Sequence, residues 1–169
     1  MKKNAHCSYC GHAYAVDQAW PRKCLSCGNT TWVNPIPVAV CLLPVDGGLL
    51  CVRRAIPPGE GKLALPGGYI DQNETWQRAV ARELFEETGI RIDPDEIEHF
   101  RTHSSTLGDN VLLVFGRARP RTWAELEPTI KIDKGEVSEV VVARGADGFA
   151  FPLHIQAVGE FFAAGLGVA

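Results

Sequence analysis

The stretch GYIDQNETWQRAVARELFEETGI, residues 68–90, decides how this chain is read. Its second half is rich in Ala, Glu, Arg and Leu, holds no proline and ends on Gly89, so it predicts a helix from about Glu74 to Thr88. Gly67 and Gly68 mark a loop before that helix. At about 100° per residue, Glu83, Glu86 and Glu87 fall within one arc, with Ala81, Leu84, Phe85 and Thr88 roughly opposite. One face is acidic and the other packs. Like charges three and four residues apart cost a few tenths of a kcal/mol per pair, so the trio opposes the helix unless a cation offsets it. Oxygen ligands without histidine favour Mg²⁺ or Mn²⁺ over zinc, with water and substrate phosphate oxygens completing the shell.

The spacing is Gly68-x5-Glu74-x7-Arg82-Glu83-Leu84-x-Glu86-Glu87-x-Gly89-Ile90, which resembles the Nudix box at every defined position. A merely solvated acidic face is the alternative, but so many fixed positions rarely coincide by accident. The resemblance implies a hydrolase that cuts the diphosphate linkage of a nucleoside diphosphate joined to a group X. It also implies an α/β/α sandwich with a mixed sheet, and metal carried by Glu83, Glu86 and Glu87. Arg82 would orient one of these through a bidentate contact that lysine could not reproduce. Glu74 would either pair with Arg78 one turn on or hold the loop, and Gly67 and Gly68 would let the backbone turn and approach the phosphates.

With 169 residues, 46% hydrophobic and 22% charged, the chain suits one sizeable core plus a small module. A net charge of -3 gives no global field to attract nucleic acid or an anionic membrane, so phosphate recognition has to be local. The N-terminus has no apolar export signal and no stretch is long and apolar enough for a membrane span, which predicts a cytoplasmic protein with reduced thiols.

Four of the six cysteines form Cys7-x2-Cys10 and Cys24-x2-Cys27, each pair followed by a glycine, Gly11 and Gly28. Two such knuckles provide four thiolates for a structural tetrahedral Zn²⁺ site, and the metal would supply most of the folding energy of so small a module. His6 and His12 are substitute ligands, and a disulfide reading needs an oxidising compartment that nothing here signals. Four thiolates leave no position for a catalytic water, so the module is structural or an interaction surface. Lys2, Lys3, Arg22 and Lys23 make no dense basic stripe, which argues against nucleic acid. A zinc ribbon (1–34) ahead of a Nudix domain (35–169) resembles the branch holding NADH, FAD and ADP-ribose pyrophosphatases. That resemblance implies a homodimer, formed through the Phe161–Phe162 region or the ribbon.

Asn34-Pro35-Ile36-Pro37 is a stiff connector. The apolar runs 38–43 and 49–53 around Pro44–Gly48 read as a hairpin, with Cys41 and Cys51 as buried hydrophobes. Arg53 and Arg54 close the second run, where a guanidinium could hold substrate phosphate. Residues 55–62 form a loop able to cover a pocket. Strands are expected over 97–105, 111–118 and 137–143, with a turn at Leu107–Asn110, and a final amphipathic helix carries Ile155, Val158, Phe161 and Phe162.

The resemblance implies a general base either in the box or in a later loop; the downstream candidates are Glu136 and Glu139, with Glu125, Glu127 and Asp133 weaker. Residues 103–108 lack the proline- and aromatic-rich segment that NADH pyrophosphatases carry after the box, and Ser105 and Thr106 stand where ADP-ribose pyrophosphatases often place a proline. The layout most resembles the FAD or ADP-ribose type. Trp76, Phe115 or Trp123 would stack a base or flavin. The alternatives are a nucleoside triphosphate sanitising enzyme and a zinc-ribbon regulatory protein with an inactive Nudix domain.

Overall fold

The computed structural model describes residues 3–105, 110–132 and 135–166. Lys2, Asp133 and most of the expected Leu107–Asn110 turn lie outside these residues. The chain divides into two compact units, Met1–Pro35 and Ile36–Ala169.

In the first unit, β1 (Arg22–Lys23) pairs antiparallel with β2 (Thr30–Thr31). Each knuckle is closed by a glycine amide, Gly11 N–H donating to Cys7 O at 2.9 Å and Gly28 N–H to Cys24 O at 3.0 Å. Both glycines sit at positive φ, 74° and 75°, so the left-handed turn, and not crowding, is what excludes a side chain.

The second unit opens with β3 (Ile36–Leu42), β4 (Pro44–Val45), β5 (Gly48–Arg54), β6 (Leu63–Ala64) and β7 (Gly67–Tyr69). Helix α1 (Trp76–Thr88) follows, then β8 (Glu98–Ser104), β9 (Val111–Arg117), the single turn α2 (Trp123–Leu126), β10 (Val137–Ala143) and α3 (Pro152–Ala163). A mixed sheet runs β7-β3-β9-β8, in which β3 and β9 are parallel; an antiparallel sheet runs β10-β5-β4, with β6 also on β5.

The expected hairpin is therefore different from the one that forms. β3 and β5 belong to separate sheets, and only the short β4 folds back on β5 through Asp46-Gly47, both at positive φ. This two-residue turn is the one that matches strand twist, and the pairing stops short of β3 because both edges of that strand are already taken, one by β7 and the other by β9.

Alternate residues of β3 explain why its apolar run is unbroken. Ala39 and Cys41, and Leu43 just after the strand, join the layer of Ala79, Val80 and Leu84 from α1, whereas Val40 and Leu42 join Ala157, Val158 and Phe161 from α3. β5 is shared in the same way, Leu50 and Val52 on one side and Leu49 and Cys51 on the other. Helices thus cover both faces of the strands, giving the α/β/α layering. Burial pushes the Cys51 thiol up to about 12, as befits a buried hydrophobe.

Three expectations about packing faces fail. Phe85 is 37% exposed and Ile155 43% exposed, while Phe161 is fully buried in the core and is not available as a dimer surface. The reason for Phe85 is local: Arg91 lies over its ring at 3.8 Å, so the ring is covered by a cation on the surface.

Candidate active site

Helix α1 starts two residues later than expected, because Thr75 caps it by accepting from the Arg78 amide, and it stops where Gly89 turns left-handed at φ 78° and donates to Phe85 O. This fixes which way the acidic residues project. Arg82 stands among them as a hub. Its Nε and Nη2 donate to the two oxygens of Glu74 at 3.0 and 2.9 Å, its Nη1 to Glu83 at 2.7 Å and Glu86 at 3.1 Å, and Nη2 also to Tyr69 O at 2.9 Å. The bidentate contact expected for a metal-carrying glutamate is made instead with Glu74.

Glu74 in turn accepts from the Asp71 amide at 3.1 Å, so it holds the loop onto α1 and does not form its ion pair with Arg78. The Arg82 hydrogen bond holds its carboxyl below the usual range. The arrangement is one guanidinium fixing the loop and, from the same plane, two carboxylates of the acidic arc.

Gly67 and Gly68 are not a loop. They are β7, paired antiparallel with Val40 and Ala39 of β3. A Cβ at Gly67 would lie 2.4 Å from Ala39 O, and one at Gly68 would lie 2.5 Å from the Glu83 carboxylate. Each glycine is needed for a close approach: the first to the strand backbone, the second to let the Glu83 carboxylate rest on β7.

Glu87 projects to the same place. Burial, the neighbouring Glu83 and then Glu136 push its carboxyl up to about 8, although the Gly67 amide and Arg54 work in the other direction. Burial also raises Glu83, with Arg82 opposing. Oε2 of Glu87 is buried without a hydrogen-bond partner. Glu83, Glu87 with its orphaned oxygen, and Glu86, which shares the Arg82 Nη1 with Glu83, are oxygen-only donors of the kind a hard divalent cation takes, although as the side chains stand their oxygens do not all come within 4.8 Å of one another.

Beside Glu87 opens a cleft of about 710 Å³, lined by Val38, Tyr69, Arg54, Ile56, Phe151 and His154 among others. The size is that of a small-molecule site, and the walls are mainly apolar with a few polar groups. Ser105 lines it too. His154 was missed by sequence reasoning: a lone histidine in an apolar helix gives no signal that distinguishes it from core.

The expected phosphate arginines part company. Arg53 donates to Glu139 at 2.7 Å and to Gly61 O at 3.1 Å, away from the cleft, whereas Arg54 reaches the cleft wall, donating to Pro58 O at 2.7 Å with its guanidinium 5.0 Å from the Phe151 ring. Glu139 is thereby engaged at the surface. Glu136 is near enough to Glu87 to raise its carboxyl, and the Ala55 amide fixes its backbone by donating to Glu136 O at 2.8 Å. Glu125 is consumed in the capping box of α2 with Thr122.

Of the three aromatics expected to stack a ring, Phe115 is fully buried, Trp76 packs on the core beside His99, and Trp123 lies on another face with Asp46 and Arg144. Tyr69, 61% exposed, and Phe151 are the aromatics at the cleft.

In the first unit, the sulfurs of Cys7, Cys10, Cys24 and Cys27 all lie within 4.8 Å of one another, the only such cluster of metal-ligating atoms among the described residues. Cys7–Cys27 and Cys10–Cys24 are 3.7 and 3.6 Å apart. Tetrahedral ligation at about 2.3 Å requires sulfurs about 3.8 Å apart, so the thiols fit a zinc ion as they stand. His6 and His12 are exposed outside the cluster.

A family model described as the NUDIX domain matches residues 34–146. A MutT-like protein of Streptomyces ambofaciens is 38% identical over 112 residues, covering 63% of this chain and 69% of that protein. The NAD-capped RNA hydrolase NudC of Edwardsiella ictaluri is 30% identical over 93 residues, covering 54% of this chain but only 36% of that relative's length. A NUDIX hydrolase structure from Nitrosomonas europaea shares the fold, with a TM-score of 0.66, 21% identity, and coverage of 94% of this chain and 90% of that one.

Proposed function

The chain belongs to the NUDIX family and is a Nudix pyrophosphohydrolase, and from that premise we propose that it hydrolyses the diphosphate of a dinucleotide-type substrate such as FAD, ADP-ribose or NADH. The observation that carries this reading is the orphaned, buried Oε2 of Glu87 at the edge of a largely apolar 710 Å³ cleft. The cleft suits an aromatic nucleoside half, and the carboxylates suit the diphosphate end. The NudC relative bears the name of an enzyme acting on an NAD-capped molecule, which favours a dinucleotide over a simple triphosphate.

Glu83, Glu86 and Glu87 would hold Mg²⁺ or Mn²⁺, and the ion when bound would neutralise phosphate charge and acidify a bound water. The chain's own residues do the rest. Arg82 keeps Glu83 and Glu86 in place through one rigid guanidinium, and its tie to Glu74 keeps the preceding loop on the helix. Arg54, at the cleft wall beside Glu87, meets the phosphate charge. A carboxylate oxygen of Glu136 accepts the proton of the attacking water as the new P–O bond forms and the anhydride P–O bond breaks. Glu139 takes no part, being paired with Arg53.

A structural zinc on the four cysteines, a cytoplasmic setting and a homodimer complete the reading, the dimer using a surface other than Phe161. The experiment is a panel of FAD, NADH, ADP-ribose and nucleoside triphosphates with Mg²⁺ or Mn²⁺, scored by products. The dinucleotides should each yield AMP and a second phosphomonoester. Release of pyrophosphate from triphosphates alone would favour the sanitising activity, and no hydrolysis at all would favour a regulatory protein.

A further inference from the structure

His154 is 7% exposed on α3, and its ring is wedged edge-to-face against Phe115 and Phe151, with centroids 6.0 and 5.2 Å away. Its Nδ1 accepts a hydrogen bond from the Leu65 amide at 3.1 Å. That nitrogen therefore carries no proton, and the single proton of the neutral ring is on Nε2. Burial, then the neighbouring Arg54, hold the ring down to about 3, so it stays neutral throughout the physiological range.

Among the described residues Nε2 has no acceptor, and His154 is one of the residues that line the cleft. The result is an uncharged donor, fixed in tautomer and orientation, in a mainly apolar wall. Such a group binds a planar ring by an unprotonated ring nitrogen, and rejects one that presents N–H or C–H there, because its own proton would be left unpaired.

We infer that His154 is the residue that reads the base of the substrate, its Nε2–H donating to a ring nitrogen of adenine seated in the cleft between β3, β7 and the start of α3. Adenine is the choice because the proposed substrates share an adenosine diphosphate half, and the inference rests on that reading. Adenine offers three unprotonated ring nitrogens, N1, N3 and N7, and no ring N–H apart from the glycosidic position. The ring would lie along Tyr69 and Phe151, leaving its diphosphate toward Glu87 and Arg54.

The test is binding of AMP and of its 1-deaza, 3-deaza and 7-deaza analogues to the full chain without divalent metal, measured by calorimetry, so that it does not depend on turnover. One analogue should bind the wild type about five- to tenfold more weakly than AMP. His154→Leu should bind AMP and that analogue equally. His154→Gln, whose amide can accept from Leu65 and still donate, should restore part of the discrimination. Because removing the ring also strands the Leu65 amide, an independent readout uses the unmutated protein: AMP should shift the side-chain ¹⁵Nε2 and Hε2 resonances of His154 and leave Nδ1 in its unprotonated form. No binding of AMP, equal binding of all four nucleotides, or an unmoved Nε2 signal overturns the inference. AMP recognition by His154 without hydrolysis of any dinucleotide would instead keep the inference and overturn the proposed activity.

Discussion

Replacing Glu87 by glutamine should change how stability responds to pH before it changes anything else. In the metal-free protein the Glu87 carboxyl is pushed up to about 8 from an ordinary value of 4.5. The folded state therefore keeps a proton that the unfolded chain gives up, so this group's contribution is fully present below about pH 4.5 and is lost progressively as pH rises toward 8. At about 1.4 kcal/mol per pH unit, the loss at pH 7 relative to pH 4.5 is about 3 kcal/mol. Glutamine carries no titrating proton. Between pH 5 and pH 7, in EDTA, the wild type should lose about 2 to 3 kcal/mol more than Glu87→Gln. Urea denaturation followed by tryptophan fluorescence measures both slopes. Mg²⁺ should then stabilise the wild type at pH 7 and release protons, while stabilising the variant far less. Parallel pH dependences in the two proteins would refute the idea that Glu87 is a carboxyl kept neutral for want of a cation.

Three further outcomes follow from particular contacts. Gly67→Ala and Gly68→Ala should behave differently: the first forces a Cβ against Ala39 O at 2.4 Å and should cost about 1–3 kcal/mol in urea denaturation, whereas the second only displaces the Glu83 side chain and should lower Mg²⁺ affinity more than stability. Glu136→Gln should reduce kcat by about 10²-fold or more, with Glu139→Gln near wild type; equal losses would remove Glu136 from its role. Cys10→Ser should abolish a bound zinc ion in native mass spectrometry and open residues 3–35 to proteolysis while 36–166 stay resistant, since the first unit has too little core to fold alone.

What was legible in the sequence follows a physical pattern. The box could be read because its constraints are local: helix spacing sets Glu83, Glu86 and Glu87 on one arc, and Gly89 ends the helix where expected, although the Thr75 cap that starts it two residues late was not read. The knuckles were equally local, since each Cys-x2-Cys turn is closed by its own glycine. Pairing across the chain was not legible. The β3 and β5 runs are buried on both faces, so neither shows the alternation that would assign it to a sheet, and the hairpin inferred from proximity was the wrong one. Arg82 reaching Glu74 depends on a loop folding back onto the helix, which spacing alone does not reveal. Arg53 and Arg54 are adjacent in sequence and on opposite faces of a strand, so only one can reach the cleft.

The central claim is that the acidic arc of α1 performs diphosphate hydrolysis on a nucleoside diphosphate linked to X. It is tested most directly by assaying wild type, Glu86→Gln and Glu87→Gln side by side on ADP-ribose, FAD and NADH with saturating Mg²⁺, with the fold of each variant verified by circular dichroism. The account predicts AMP from the wild type and loss of turnover in both folded variants. Undiminished turnover in both would contradict it.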